Sequence, residues 1–121
     1  MPEPLEVTSL LLYEFRQAVR FQIRLHRNDP SKGYSRDEGA KMLADLKADL
    51  VSGDVVTVPA PWHQVHLAAE RLSEWHTDAC GHRSMDILHV ATAIELGATH
   101  FLTFDANQKR LAEAEGLTVP I

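Results

Sequence analysis

The stretch Arg83-Ser-Met-Asp86-Ile-Leu-His89-Val-Ala-Thr-Ala-Ile-Glu-Leu-Gly97 limits the possible folds more than any other part of the chain. Met85, Ile87, Leu88, Val90, Ala91, Ala93, Ile94 and Leu96 leave a helix with almost no polar face. Such a helix is buried on more than one side. Ser84 is its expected N-cap and Gly97 its expected stop. Asp86 then sits in the first turn of a buried helix. A carboxylate there must be hydrogen-bonded, paired or bound to a metal. Capping its own helix, pairing with Arg83 and ligating an ion are all open to it.

A second acid follows at short range. Thr99-His-Phe-Leu-Thr-Phe104 is β-branched and aromatic and reads as a short strand, with Asp105 directly after it. In open parallel sheets, ligands bind beyond the carboxyl ends of the strands, which is where Asp105 falls. Asp105-Ala-Asn-Gln108 also has the spacing of a capping box for the helical run that follows. One residue can serve both purposes. Two acids at one end of a sheet suit a hard divalent cation held by oxygens.

The remaining segments supply a setting. Glu6-Val-Thr-Ser9 is either a short strand or the lead-in to a helix, with Ser9 as cap. Leu10 to Arg27 is helical in pattern, with Leu12, Phe15, Val19 and Ile23 at three- and four-residue steps. Glu14 stands among Leu11, Leu12, Tyr13 and Phe15. Arg16, Arg20, Arg24 and Arg27 form a separate stripe, either solvated or available to nucleic-acid phosphates. Ser35-Arg-Asp-Glu38 opens a second helix with a capping box, and Gly53 ends it. Together the two helices make an antiparallel hairpin. Asp54 to Val58 is a strand stopped by Pro59. A third helix runs from Pro61 and Trp62 to Trp75, with Val65, Leu67, Ala68, Ala69, Leu72 and Trp75 on its buried side. Thr77 to His82 reads as a loop. The last helix ends near Glu115 and Gly116, and Leu117 to Ile121 reads as a final edge strand. Helices alternating with strands argue an α/β fold with a parallel sheet.

Other constellations are weaker. His63 and His66 lie three apart and could chelate a transition metal, but no third ligand stands nearby. Cys80 and His82 could pair as nucleophile and base. A single cysteine in 121 residues excludes an internal disulfide framework and suits a reducing, cytoplasmic setting. The start of the chain is acidic and proline-rich, unlike a targeting peptide. No apolar run is long enough to span a bilayer. A net charge of −5 argues against broad electrostatic wrapping of nucleic acid, though not against a local nuclease site.

Three segments, Ser9-Leu-Leu-Leu-Tyr-Glu14-Phe-Arg, Arg83-Ser-Met-Asp86-Ile-Leu-His-Val-Ala-Thr-Ala and Phe101-Leu-Thr103-Phe-Asp105, resemble successive motifs of PIN domains. The toxin ribonucleases of VapBC-type toxin–antitoxin pairs are the nearest branch. The resemblance covers nearly the whole chain as one domain, residues 1–121. It implies a PIN-like α/β fold and a Mg²⁺- or Mn²⁺-dependent endoribonuclease of the VapC type. Glu14, Asp86 and Asp105 would be the catalytic, metal-holding acids, with Thr103 and Asn107 as candidates to support them or to position water. RNA would be the substrate, and the hairpin at Leu10–Leu50 would meet a VapB-like antitoxin or a second copy of the chain.

The family pattern begins with a strand bearing an aspartate, and nothing like it precedes Glu6. On this reading the domain is incomplete at its N-terminus and lacks its central first strand and one acid. Activity would then need upstream sequence to supply that acid. The alternatives are a catalytically impaired remnant that only binds a partner, and a strand supplied by another chain. A more distant option is a generic α/β domain whose acids are caps and ion pairs.

Overall fold

The structure is a computed structural model that describes residues 3–120. They form two compact units, one up to Pro59 and one from Ala60 onward.

The first unit is a strand–helix–helix–strand arrangement. Strand β1 (Leu5–Val7) feeds directly into helix α1 (Ser9–Asn28), then α2 (Arg36–Ser52) and strand β2 (Val55–Thr57). The strands pair in parallel, Leu5 with Val55 and Val7 with Thr57, so the helical hairpin is the crossover between them. Of the two sequence options for Glu6–Ser9, the strand is found, and the cap moves back one residue. Thr8 is the last extended residue, and its side chain accepts from the Leu11 N–H at 3.2 Å. Ser9 is already helical. Val7, Leu12 and Val55 form the small core, with Leu46 and Leu50 of α2 against it. Helices α1 and α2 approach closely at Gly39, where a Cβ would run into Ile23.

At the start of α2 the capping box closes in both directions. Ser35 Oγ accepts from the Glu38 N–H, and a Glu38 carboxylate oxygen accepts from the Ser35 N–H, each at 3.1 Å.

The second unit is built on the apolar helix. Helix α3 (Trp62–Leu72), helix α4 (Ser84–Glu95) and helix α5 (Ala106–Ala114) bury Val65, Ala68 and Leu72, then Ile87, Val90 and Ala91, then Leu111 and Ala112. Leu117 and Val119 complete this core. Burying side chains such as Val90 or Leu111 fully contributes about 1.5–3 kcal/mol each. Thr92 is buried too, and its hydroxyl donates to the Leu88 carbonyl at 2.7 Å.

Four expectations need correction here. The third helix does not give way to a loop: Ser73–Thr77 continues as a π-helical turn, and Asp78–Cys80 as a further helical turn. No glycine or proline interrupts the chain between Leu72 and Cys80, and Gly81 is the first residue to turn left-handed, at φ 68°. Trp75 and Leu67 are exposed rather than buried, because that widened turn and the outer face of α3 point away from α4's packing. Helix α4 begins at Ser84 itself, with extended Arg83 in the cap position and no side-chain cap. Gly97 does stop it: its N–H donates to Ile94 O and that of Ala98 to Ala93 O, the paired bonds of a Schellman motif. Finally, the strands expected at Thr99–Phe104 and Leu117–Ile121 shrink to one parallel bridge between His100 and Thr118. Among the described residues these two segments pair only with each other, a marginal arrangement, and Leu102 and Phe104 remain exposed. Ile121 lies outside the described residues.

Among the described residues, no helix is long and apolar enough to cross a membrane.

Candidate metal and nucleic-acid site

The starts of α4 and α5 face one cleft of about 510 Å³. It is lined by Arg83, Ser84, Met85, Asp86, Asp105 and Asn107. Thus Asp86 and Asp105, two of the acids singled out by the sequence, border the same space, with Asn107 beside them. Both stand at helix N-termini, where exposed N–H groups favour negative charge.

Each acid is held by Gln108. Asp105 Oδ1 accepts from the Gln108 backbone N–H at 2.9 Å and so caps α5. Asp86 Oδ1 accepts from Gln108 Nε2 at 2.8 Å. Gln108 Oε1 in turn accepts from the Thr103 hydroxyl at 2.7 Å, and Thr103 Oγ1 accepts from the Asp105 N–H at 3.0 Å. The expected capping box at Asp105 is therefore half closed: the cap bond forms, but the glutamine side chain goes to Asp86 instead of back to Asp105. For Asp86, the hydrogen-bonded partner is Gln108, rather than its own helix end or Arg83.

Sequence reasoning treated Gln108 only as a capping partner. The signal that could have found it was a Gln at the third helical position beside an acid needing a partner. Thr103 was singled out and touches both Gln108 and Asp105. Glu14 lies on α1 in the first unit, half-buried.

The oxygen donors on the cleft are two carboxylates, the Asn107 amide and the Ser84 hydroxyl, with no thiolate or imidazole in the lining. That set suits a hard cation rather than zinc or copper. Within the second unit, no three described acidic, histidine or cysteine side chains come together to enclose an ion. A cation such as Mg²⁺ does not need such a cage, since it keeps several waters and uses one or two carboxylates plus substrate phosphates.

The other histidines stand apart from this chemistry. His63 and His66 are exposed on α3. His82 is buried, and neither ring nitrogen has a hydrogen-bond partner among the described residues, so no Cys80–His82 pair forms. Burial lowers the His82 pKa first; the nearby His76 and Arg110 add to this, and Asp86 opposes it. His76 is itself bonded to Glu115, Nε2 to a carboxylate oxygen at 2.8 Å.

The sequence matches the family model of the PIN domain over residues 4–114. The helices and small parallel sheet agree with that fold. No curated protein and no solved structure gives a match.

Proposed function

This chain belongs to the PIN domain family, generally a metal-dependent nuclease fold, and on that premise we propose a Mg²⁺- or Mn²⁺-dependent endoribonuclease of the VapC toxin type. The observation that carries the reading is the sharing of one cleft by Asp86 and Asp105, both tied to Gln108. Asp86 and Asp105 would hold the cation through carboxylate oxygens, with Asn107 at the rim and Glu14 contributing by the family pattern. A divalent cation bound there would lower the pKa of a coordinated water and clamp the scissile phosphate. Arg83 lines the same cleft and offers a cationic fork to the RNA backbone. Thr103 braces the acids from behind through Gln108.

RNA is the proposed substrate. The exposed Leu11, Phe15 and Phe21 on α1 support a protein partner on the helical hairpin, a VapB-like antitoxin or a second copy of the chain. Exposed Arg20, Arg24 and Arg27 add cationic surface to the same helix.

One observation favours a second reading, a catalytically impaired PIN-like domain that only binds a partner: among the described residues of the second unit, two acids line the cleft. RNA hydrolysis with Mg²⁺ or Mn²⁺, with and without EDTA, separates the two. The nuclease reading expects cleavage that EDTA stops and that Asp86→Asn removes while the circular dichroism stays native. Full cleavage by Asp86→Asn would strip Asp86 of its role. Running the same assay on a chain extended by any in-frame upstream sequence asks whether a further acid raises the rate.

A further inference from the structure

We infer that Gln108 is the positioning residue that presets Asp86 and Asp105 for a cation; the inference rests on the metal-dependent reading above. Thr103 Oγ1 accepts the Asp105 N–H, so its own proton is the one it gives, and Gln108 Oε1 receives it at 2.7 Å. The orientation of the amide is fixed by Asp86, because an ionised carboxylate can only accept. An amide's oxygen and nitrogen ends are otherwise assigned only from their partners. The N–H₂ end therefore faces Asp86, where it donates at 2.8 Å, and Oε1 faces the Thr103 hydroxyl. The backbone N–H of the same residue holds Asp105 at 2.9 Å. A ring of three hydrogen bonds therefore joins Asp105, Thr103 and Gln108, and a fourth branches from Gln108 to Asp86, so that Gln108 reaches both carboxylates.

The chemistry follows from the donor count. Two carboxylates beside one cleft repel each other without a cation between them. Each has one oxygen oriented by a hydrogen bond from Gln108, which spaces the pair and directs the other oxygens. The glutamine is neutral, so it orients the acids without adding a positive charge that would compete with the ion. A lysine or arginine in its place would compete. A glutamate would add a third negative charge and lose the donor.

Supporting residues of this kind typically change metal affinity by about 10–100-fold. The test is Mn²⁺ titration of the RNA-free protein, followed by electron paramagnetic resonance, for wild type and Gln108→Met. Methionine keeps the length of the side chain and the backbone N–H to Asp105, and removes only the amide. The expected result is a Mn²⁺ dissociation constant raised about 10–100-fold in Gln108→Met. A second measurement needs no variant: in the wild-type protein, substoichiometric Mn²⁺ should broaden the Gln108 side-chain amide resonances among the first. Wild-type affinity in Gln108→Met, or sharp Gln108 amide signals at saturation, overturns the positioning role and leaves the nuclease reading standing. Failure of the wild-type protein to bind Mn²⁺ at all overturns both.

Discussion

Helices α2 and α5 begin with related sequences, Ser35-Arg-Asp-Glu38 and Asp105-Ala-Asn-Gln108. In α2 the reciprocal pair closes on itself, and both bonds are local and solvent-facing. In α5 only the cap bond forms, and the long side chain crosses to another helix to reach Asp86. The first arrangement ends a helix tidily. The second uses the same local chemistry but commits one partner to a distant acid. A capping signature whose second member leaves its cap points to a polar group elsewhere that has greater need of it, here a carboxylate on the most apolar helix of the chain.

The sharpest way to break this contrast is to remove the acid that draws Gln108 away. Asp86→Asn should reduce metal-dependent RNA cleavage by more than the roughly 100-fold that bounds the effect of a supporting residue. The thermal midpoint should move little, because Asn retains an oxygen able to accept from Gln108. Equal rates for mutant and wild type in a single-turnover assay would make the Asp86 end of the bridge structural.

The next largest effect concerns packing. Leu111 is buried in the second unit on the helix that carries Gln108. Leu111→Ala should cost about 2–5 kcal/mol in denaturant unfolding. Loosening α5 should also weaken Mn²⁺ binding, whereas trimming α2 where it packs on its own core, for instance at the half-buried Leu46 by Leu46→Ala, should spare it. Matched losses of metal affinity in both would remove the distinction between the two helices.

Much of the contrast was legible before any coordinates. Glu38, Gly53 and Gly97 act through bonds to residues a few positions away, so spacing alone identifies them. Asp86 and Asp105 were legible as acids in unusual places, and family motifs pointed to both. The Asp86–Gln108 bond was not legible, because it joins residues 22 apart on two helices and depends on their packing. The helical turns that carry the chain on to Cys80 escaped for a related reason: the polar run from Thr77 suggested a loop, while backbone continuity with α3 decided otherwise. The strands flanking the site were overcalled because β-branched and aromatic composition does not reveal how many neighbours a strand will find. The candidacy of Glu14 rests on its motif alone.

The two caps themselves sharpen the comparison at smaller scale. Ser35→Ala and Asp105→Ala should each cost about 1 kcal/mol of stability, the usual value of a side-chain cap. Only Asp105→Ala should also lower RNA cleavage and Mn²⁺ affinity. A Ser35→Ala protein with impaired cleavage would show that helix capping in general, rather than the acid on the cleft, controls activity.

The smallest expected effect is a difference in pH response. The Glu38 carboxyl is held below its ordinary value by its bonds from the Ser35 N–H and side chain. A carboxyl depressed in the fold contributes stability that is present above about pH 4.5 and is lost as pH falls through the folded value. His82 is depressed from 6.5 chiefly by burial. Its unfolded form therefore takes up a proton first on acidification, and stability falls as pH drops below about 6.5 toward the folded value. Hydrogen exchange read separately for α2 and α4 should show protection declining first in α4, as soon as the pH falls below about 6.5, with α2 affected only in stronger acid. His82→Phe should flatten the α4 response and leave that of α2 unchanged. If α4 keeps its pH dependence in His82→Phe, the buried imidazole is not its source.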